Sequence, residues 1–334
     1  MRALLCESWD GWQAVRHTEV ERPALKPGCV RIQVRYAALG FAQLLVVAGK
    51  YQRKPPLPFV PGTEVSGLVT EVAQEVSDFR PGDRVAALLD WGGFGEEAIA
   101  TAVTTWHVPA AVDLSQACMV PVTYGTSWAA LHWRARIEAG QTVVVFGAAG
   151  GVGLSAVQIA RQAGARVIAV ARTEERLALA RENGAHEGVL NDTPELGRVL
   201  KQRCGGRGAD VVYDPVGGAA FDEALRCVAP EGRVIIVGFA GGAVQQIAAN
   251  LLLVKNVEVT GLNFGHYAGW TPADERQRYA ERMKTMMDCL FDGVRAGRLR
   301  PSSSTIYPLQ QYPQACESIA QRRSTGRVVL KVAH

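Results

Sequence analysis

The chain has 334 residues, of which 48% are hydrophobic and 20% charged, with a formal net charge of +4. This balance is typical of a globular protein, and the length predicts two domains. The absence of a run of roughly 20 apolar residues and of a secretory signal, together with the small and dispersed charge, argues against membrane and nucleic-acid partners.

The first ~120 residues predict a β-rich domain, because short strand-like runs are separated by frequent turn signals. Residues 30–36 alternate with period two, as a half-buried strand does, and residues 65–72 and 85–89 are further apolar runs. Turn signals include Pro27-Gly28 and Pro81-Gly82. We therefore expect a barrel-like antiparallel domain at the start of the chain.

From about Thr123 the pattern changes to strands alternating with helices. A strand at 142–146 is followed by a helix with Val152, Ala156 and Ile159 on its apolar face and Gln158 opposite. Further strands are predicted at 167–170, 188–190, 210–213, 234–237 and 257–261, and a further helix at 174–182. Six strands with helical crossovers predict a doubly wound parallel α/β sheet over residues 123–262. A final strand at 328–332 is placed to close back on the first domain, which then comprises residues 1–122 and 263–334.

A glycine-rich loop follows the strand at 142–146 and reads Gly147-Ala148-Ala149-Gly150-Gly151-Val152-Gly153. This is an AxGxxG variant of the dinucleotide fingerprint, in the strand–loop–helix context that the fingerprint requires. The missing side chain at Gly150 admits a pyrophosphate, and Gly153 lets the helix pack closely. A plain structural turn is the alternative, but the surrounding elements favour a cofactor site at Ala149, Gly150, Gly151, Val152 and Gly153.

The end of the next strand distinguishes the two dinucleotides. An NAD site usually carries an acid there for the ribose 2′-hydroxyl, whereas this chain has Ala171. Arg172 follows, and Arg176 lies one helical turn later, so that guanidinium groups can bind a 2′-phosphate. The alternative is solvated arginines paired with neighbouring glutamates. We expect NADPH rather than NADH, bound at Arg172, Thr173 and Arg176.

Several motifs connect the chain to a known family. They are GKY with LP in residues 49–58, PGTEVSG at 61–67, PGDRV at 81–85, AAGGVG at 148–153 and DVVYDPVGG at 210–218. On these motifs the chain resembles the zinc-free, zeta-crystallin-like quinone oxidoreductases of the medium-chain dehydrogenase/reductase superfamily. The resemblance implies a GroES-like catalytic domain beside the Rossmann domain, a cytoplasmic homodimer and an NADPH-dependent enzyme.

The resemblance also implies that no metal is bound. Zinc-dependent relatives carry Cys, His and Cys at the places of Gly40, Thr63 and Val122, none of which can bind zinc here. Glu64 remains as a potential ligand next to these positions, but a single carboxylate does not make a metal site. The seven scattered cysteines, without a CxxC pair, agree with reduced thiols and not with a structural zinc site.

A metal-free site suits activated acceptors. Oxidising a simple alcohol needs a Lewis acid, whereas hydride addition to a quinone or enone gives a delocalised anion that a few hydrogen-bond donors stabilise. The leading interpretation is a reductase that transfers hydride from NADPH to a quinone. Reduction of an enone, alkenal or acryloyl-type substrate is a close alternative, and a non-catalytic NADPH-binding module is an alternative of another class.

The family's site residues map unevenly onto this chain. Tyr51 matches a tyrosine beside the substrate cleft and either donates a hydrogen bond to the substrate or packs under the rim. Thr126 matches a threonine at the nicotinamide, with a helix N-cap as the alternative. Gly40 and Gln43 stand where much of the family has Asn and Asp, which puts any inherited role there in doubt.

The remaining cofactor candidates follow strands late in the chain. Gly238, Phe239 and Asn263 come after the fifth and sixth strands of the predicted sheet, where ligands bind in such folds. Arg327 either reaches the cofactor or is solvated at the surface.

Overall fold

The structure, a computed structural model, describes residues 1–332, apart from the side chains of residues 303 and 304. The chain divides into two units. We name the units after the roles that the sequence predicts for them: the catalytic unit comprises Met1–Val122, Phe264–Gly297 and the chain from Pro301 onward, and the nucleotide unit comprises Thr123–Asn263 with Arg298–Arg300. No helix of the described residues combines the length and apolar content that crossing a bilayer requires.

The strands of residues 1–332, in chain order, are β1 (Arg2–Leu5), β2 (Arg16–Glu19), β3 (Cys29–Leu39), β4 (Glu64–Val72), β5 (Arg84–Leu88), β6 (Glu97–Thr101), β7 (Thr105–His107), β8 (Thr142–Phe146), β9 (Arg166–Ala171), β10 (Glu187–Leu190), β11 (Ala209–Asp214), β12 (Val228–Ile236), β13 (Glu258–Gly261), β14 (Ser303–Pro308) and β15 (Arg327–Lys331).

The α-helices of the same residues are α1 (Phe41–Val47), α2 (Leu114–Ala117), α3 (Gly125–Trp128), α4 (Gly151–Gln162), α5 (Glu174–Glu182), α6 (Leu196–Arg203), α7 (Ala219–Cys227), α8 (Ala249–Lys255), α9 (Ala280–Arg295) and α10 (Tyr312–Ala320). Short 3₁₀ and π-helical turns connect some of them.

The catalytic unit is built on a mainly antiparallel sheet in the order β14-β15-β3-β4-β5-β7, with β6 also paired to β3. The long strand β3 is buried along most of its length: Val30, Ile32 and Val34 alternate on one face, and Arg31 on the other is also buried, where it pairs with Glu71 and Glu97. The C-terminal strand β15 pairs antiparallel with β3, Val328 lying opposite Leu39. The chain end therefore closes back on the first domain, as the sequence predicts.

The nucleotide unit contains a six-stranded sheet in the order β10-β9-β8-β11-β12-β13, and every pair in it is parallel. This confirms the predicted doubly wound sheet. The chain reverses its winding direction between β8 and β11, the place where such folds bind ligands at the carboxyl ends of the strands. Both faces of the sheet are buried, as Val143 and Val145 on one side of β8 and Val144 and Phe146 on the other show, which is expected for a sheet covered by helices on each side.

Element boundaries differ from the expectations at particular places. The fifth strand of the sheet runs over Val228–Ile236, six residues longer at its start than predicted and one shorter at its end. Gln158 was expected on the polar face of α4, but it is 5% exposed. Its side chain bonds Tyr124 Oη, Asn183 Oδ1 and the backbone of Arg300, so partners distant in the sequence make a buried amide favourable.

Candidate functional site

The glycine loop lies between β8 and α4 and adopts the shape that the fingerprint predicts. Gly147 has φ +60°, a conformation that favours glycine. A Cβ on Gly153 would lie 2.8 Å from the carbonyl carbon of Gly147 and 3.0 Å from Cα of Ala148, so only glycine fits there. A Cβ on Gly150 would meet nothing closer than Gly147 O at 3.4 Å. The loop is therefore tight against the helix at Gly153 and open in front of Gly150.

The open side of this loop is suited to an anion. Helix α4 begins at Gly151, and Gly150 is its N-cap residue in an extended conformation. The first N–H groups of a helix have no partner within it and lie at the positive end of the helix dipole. Ala149 is buried, while Gly151 and Val152 keep partial exposure. These backbone groups fit a pyrophosphate.

The end of β9 carries two guanidinium groups close to one another. Ala171 is the last, buried residue of the strand, Arg172 is exposed, and Arg176 is partly buried in the first turn of α5. Burial and the positive charge of Arg172 both lower the pKa of Arg176. Thr173 is the N-cap of α5, and its Oγ1 accepts the N–H of Arg176 at 3.3 Å. Two neighbouring guanidinium groups, with no acid at residue 171, have the charge that would suit a dianion.

The loops after β11, β12 and β13 continue side by side beyond the sheet. The N–H groups of Ala240 and Gly241 donate to the carbonyls of Pro215 and Val216 at 3.1 and 2.8 Å. Gly238 and the 43% exposed Phe239 thus stand at the carboxyl edge of the sheet, and Asn263 is exposed just after β13.

Asp214 holds the turn after β11 and was not singled out from the sequence. Its carboxyl group is fully buried, and Oδ1 accepts the N–H groups of Val216 and Gly217 at 2.8 and 3.0 Å. Burial raises the pKa of this carboxyl. Val216 in turn lies 3.3 Å from the position of a Cβ on Gly147, so this turn supports the glycine loop.

Three buried hydroxyls also escaped the sequence reasoning. Ser127 follows Thr126 in α3, and its Oγ lies 2.8 Å from Val152 O, 2.8 Å from Ser155 Oγ and 2.9 Å from Tyr213 Oη. A polar residue on the apolar face of α4 (Ser155) and one in a buried strand (Tyr213) were the only signals of this cluster. Thr126 is buried inside α3 and is not its N-cap, so the N-cap alternative is wrong.

The catalytic unit holds the other candidates. Tyr51 is partly buried against the core of this unit, and burial raises the pKa of its hydroxyl, which keeps it protonated. Arg327 is not solvated: its side chain is 15% exposed and pairs with Glu64, which is fully buried. The other carboxylate oxygen of Glu64 accepts the N–H of Val122 at 2.9 Å.

The chain departs from much of the family at Gly40 and Gln43. Gly40 lies beside this ion pair, and Gln43 binds Thr63, the residue before Glu64. Gln43 is buried, and its amide donates to Thr63 Oγ1 at 2.7 Å. A Cβ on Gly40 would lie 2.6 Å from Cζ of Arg327, so the guanidinium takes the space that a side chain at residue 40 would need. Within residues 1–332 no three His, Cys, Asp or Glu side chains form a group that could hold a metal ion.

Two family models match the chain. One, described as an alcohol dehydrogenase GroES-like domain, covers residues 26–110, and the other, described as a zinc-binding dehydrogenase, covers residues 151–285. Quinone oxidoreductase-like protein 2 of Rattus norvegicus is 37% identical over 332 residues, which cover 99% of this chain and 92% of the relative. The chain belongs to the zinc-free quinone oxidoreductase family of medium-chain dehydrogenases/reductases.

Other members agree with this assignment. Quinone oxidoreductase of Homo sapiens is 30% identical over 333 residues, covering 99% of this chain and 97% of the relative. A mycobacterial protein solved in complex with NADPH superimposes with a TM-score of 0.90 at 28% identity, covering 99% of both chains. The predicted family and the predicted pairing of a GroES-like domain with a Rossmann sheet are thus confirmed, and the family consists of oxidoreductases.

Proposed function

We propose that this family member is an NADPH-dependent reductase that transfers hydride to a quinone without a metal. The observation that carries the proposal is the pair Arg172 and Arg176, adjacent to each other after β9, with Ala171 in place of an acid. Two guanidinium groups close together can bind the two negative charges of a 2′-phosphate through charge-assisted hydrogen bonds. NADH lacks this group. The NADPH complex of the mycobacterial relative supports the same choice.

The residues present fit the dinucleotide along its length. The open backbone before Gly150 accommodates the pyrophosphate, and Thr126, Gly238, Phe239 and Asn263 are the candidates for the nicotinamide half. When bound, NADPH supplies the hydride. The protein's part is to orient the cofactor and to stabilise the anion left on the acceptor, which takes up a proton to become a hydroquinone.

Tyr51 is our candidate for the residue that stabilises this anion. A hydroxyl whose pKa is raised by burial stays protonated and can donate a hydrogen bond to the acceptor oxygen. We also propose that Arg327 contacts the cofactor through guanidinium N–H groups other than those of Nη2, which binds Glu64.

A panel of acceptors tests the reaction. NADPH and NADH oxidation is followed at 340 nm with a 1,4-quinone, an enone and an acryloyl thioester, each with and without a chelator. We expect the fastest turnover with NADPH and the quinone and no effect of the chelator. Preference for the enone or the thioester would move the assignment to the alternative substrate class. No oxidation with any acceptor, despite NADPH binding, would identify a binding module.

The cofactor assignment has its own test. Arg172→Ala removes a charge-assisted contact, so we expect the Kd for NADPH to rise about 10- to 100-fold and the Kd for NADH to change little. Arg181→Ala is the matched control, because Arg181 lies on the same helix and pairs with Glu174. Equal losses for both coenzymes in Arg172→Ala would refute the 2′-phosphate site.

We further propose that the protein is a cytoplasmic homodimer formed through its nucleotide units. Helix α8 buries none of its side chains, and Leu253 and Val254 are 78% and 74% exposed. Strand β13 lies at the edge of the parallel sheet, where unpaired backbone groups invite a second strand. Sedimentation is expected to show a dimer that Leu253→Asp and Val254→Asp together dissociate. A wild-type monomer at micromolar concentration would refute the proposal.

A further inference from the structure

A cluster of three hydroxyls is buried in the nucleotide unit beside the candidate cofactor residues. Tyr213 and Ser127 are fully buried and Ser155 is 1% exposed. They come from three elements, β11, α3 and α4. We call them the hydroxyl cluster. Burying hydroxyls costs free energy that Phe or Ala at these positions would avoid. The hydrogen bonds of the cluster therefore serve a purpose that apolar packing alone would not.

The hydrogen bonds of the hydroxyl cluster run from Tyr213 through Ser127 towards backbone carbonyls. Ser127 has a single proton, which its Oγ donates to the carbonyl of Val152 or to Ser155 Oγ, each at 2.8 Å. The same Oγ then accepts from Tyr213 Oη at 2.9 Å. When Ser155 Oγ accepts from Ser127, it donates its own proton to Thr123 O or Val152 O, at 3.2 and 3.0 Å, and otherwise it donates to Ser127 Oγ. Burial raises the pKa of Tyr213, so this hydroxyl remains a donor.

These bonds connect the two segments that carry predicted cofactor contacts. Val152 belongs to the first turn of α4, directly after the glycine loop, and its carbonyl is the common acceptor. Ser127 is the neighbour of Thr126 in α3. The hydroxyl of Tyr213 reaches this meeting point from β11, the strand next to β8 in the sheet. A shift of α3 along α4 would break the Ser127 bonds together.

We propose that Tyr213 and Ser127 are positioning residues of the dinucleotide site, which hold Thr126 in register with the first turn of α4. The proposal rests on the proposed NADPH function of that site. Neither side chain needs to touch the cofactor: Ser127 acts through the backbone of Val152, and Tyr213 acts by fixing the direction in which Ser127 donates.

The test compares two buried tyrosines of the nucleotide unit: Tyr213 bonds at the first turn of α4, whereas Tyr124 bonds Gln158, six residues after Val152 on the same helix. Tyr213→Phe removes one oxygen from the hydroxyl cluster. Tyr124→Phe removes one oxygen from a buried tyrosine of the same unit that donates to Gln158 at 3.0 Å, and burial raises the pKa of Tyr124 as well. We expect both variants to lower Tm by similar amounts. Only Tyr213→Phe is expected to raise the Kd and KM for NADPH, about fivefold, with the KM of the acceptor unchanged.

Ser127→Ala provides the second variant if Tyr213→Phe proves too unstable, and it is expected to raise the Kd for NADPH about 10-fold. Amide hydrogen exchange of the segment 150–153 should become faster in either variant and stay unchanged in Tyr124→Phe. If wild type binds NADPH and Tyr213→Phe and Ser127→Ala bind it equally well, the cluster only packs the core and the inference is wrong. If wild type itself binds no dinucleotide, the proposed function fails and this inference fails with it.

Discussion

Replacing Gly40 by alanine is expected to weaken the buried ion pair of the catalytic unit. Gly40 has φ −135° and ψ 173°, an extended conformation open to any residue, so the substitution brings no backbone strain. The added Cβ would lie 2.6 Å from Cζ and 3.0 Å from Nη2 of Arg327. Because these distances are too short for a real contact, the guanidinium, at the far end of a flexible side chain, has to shift, and the shift weakens its bond to Glu64.

The cost follows from the burial of Glu64. Removing one partner of a buried ion pair typically costs roughly 3–5 kcal/mol, since the remaining charge is left without compensation. Glu64 is fully buried but keeps the N–H of Val122, and the Arg327 side chain retains 15% exposure. Because Gly40→Ala displaces the guanidinium without removing it, we expect the free energy of unfolding to fall by at most about 3 kcal/mol, the lower end of that range.

A double-mutant cycle isolates the cause. Urea unfolding followed by tryptophan fluorescence is measured for wild type, Gly40→Ala, Arg327→Met and the double variant. With Met at 327 the guanidinium is gone, so Gly40→Ala should then be neutral or stabilising by about 0.4–1 kcal/mol, because alanine restricts the unfolded chain. If Gly40→Ala costs the same in both backgrounds, the argument from the guanidinium is refuted.

Three further outcomes are expected. Tyr51→Phe should lower kcat with a quinone roughly 100-fold and leave the Kd for NADPH unchanged; an unaltered kcat would leave Tyr51 a packing residue. Burial lowers the pKa of His132, so the folded state favours the neutral ring and the free energy of unfolding should fall as pH drops below about 6.5. His132→Gln should reduce that slope, and an identical pH profile would contradict this cause. Among the seven thiols Cys289 is exposed and the others are buried. A thiol reagent should therefore label one residue per native chain, and Cys289→Ser should abolish the labelling.

The nucleotide unit was predictable because its signals are local. Strand–loop–helix order, the glycines at 150 and 153, and the residues after β9 all lie within short segments whose geometry repeats in every doubly wound sheet. Helix α5 begins and ends at the predicted residues, Glu174 and Glu182, since a threonine N-cap precedes it.

The residues that sequence reasoning missed depend on contacts between distant segments. The local sequence predicts Gln158 at the surface, but its side-chain amide donates to the carbonyl of Arg300, 142 positions later. Ser127 and Tyr213 meet across 86 positions, and Arg327 reaches Glu64 across 263. No period or local motif encodes such partners, so the buried polar groups around the candidate site become visible only in the folded chain.

The central claim is that electrons pass as hydride from NADPH to a quinone without a metal. Stopped-flow oxidation of NADPH by a 1,4-quinone, with unlabelled and 4-deuterated coenzyme in excess chelator, tests it most directly. We expect loss of absorbance at 340 nm at a rate that deuteration slows and the chelator leaves unchanged. Absence of oxidation, or a reaction that the chelator abolishes, would contradict the account.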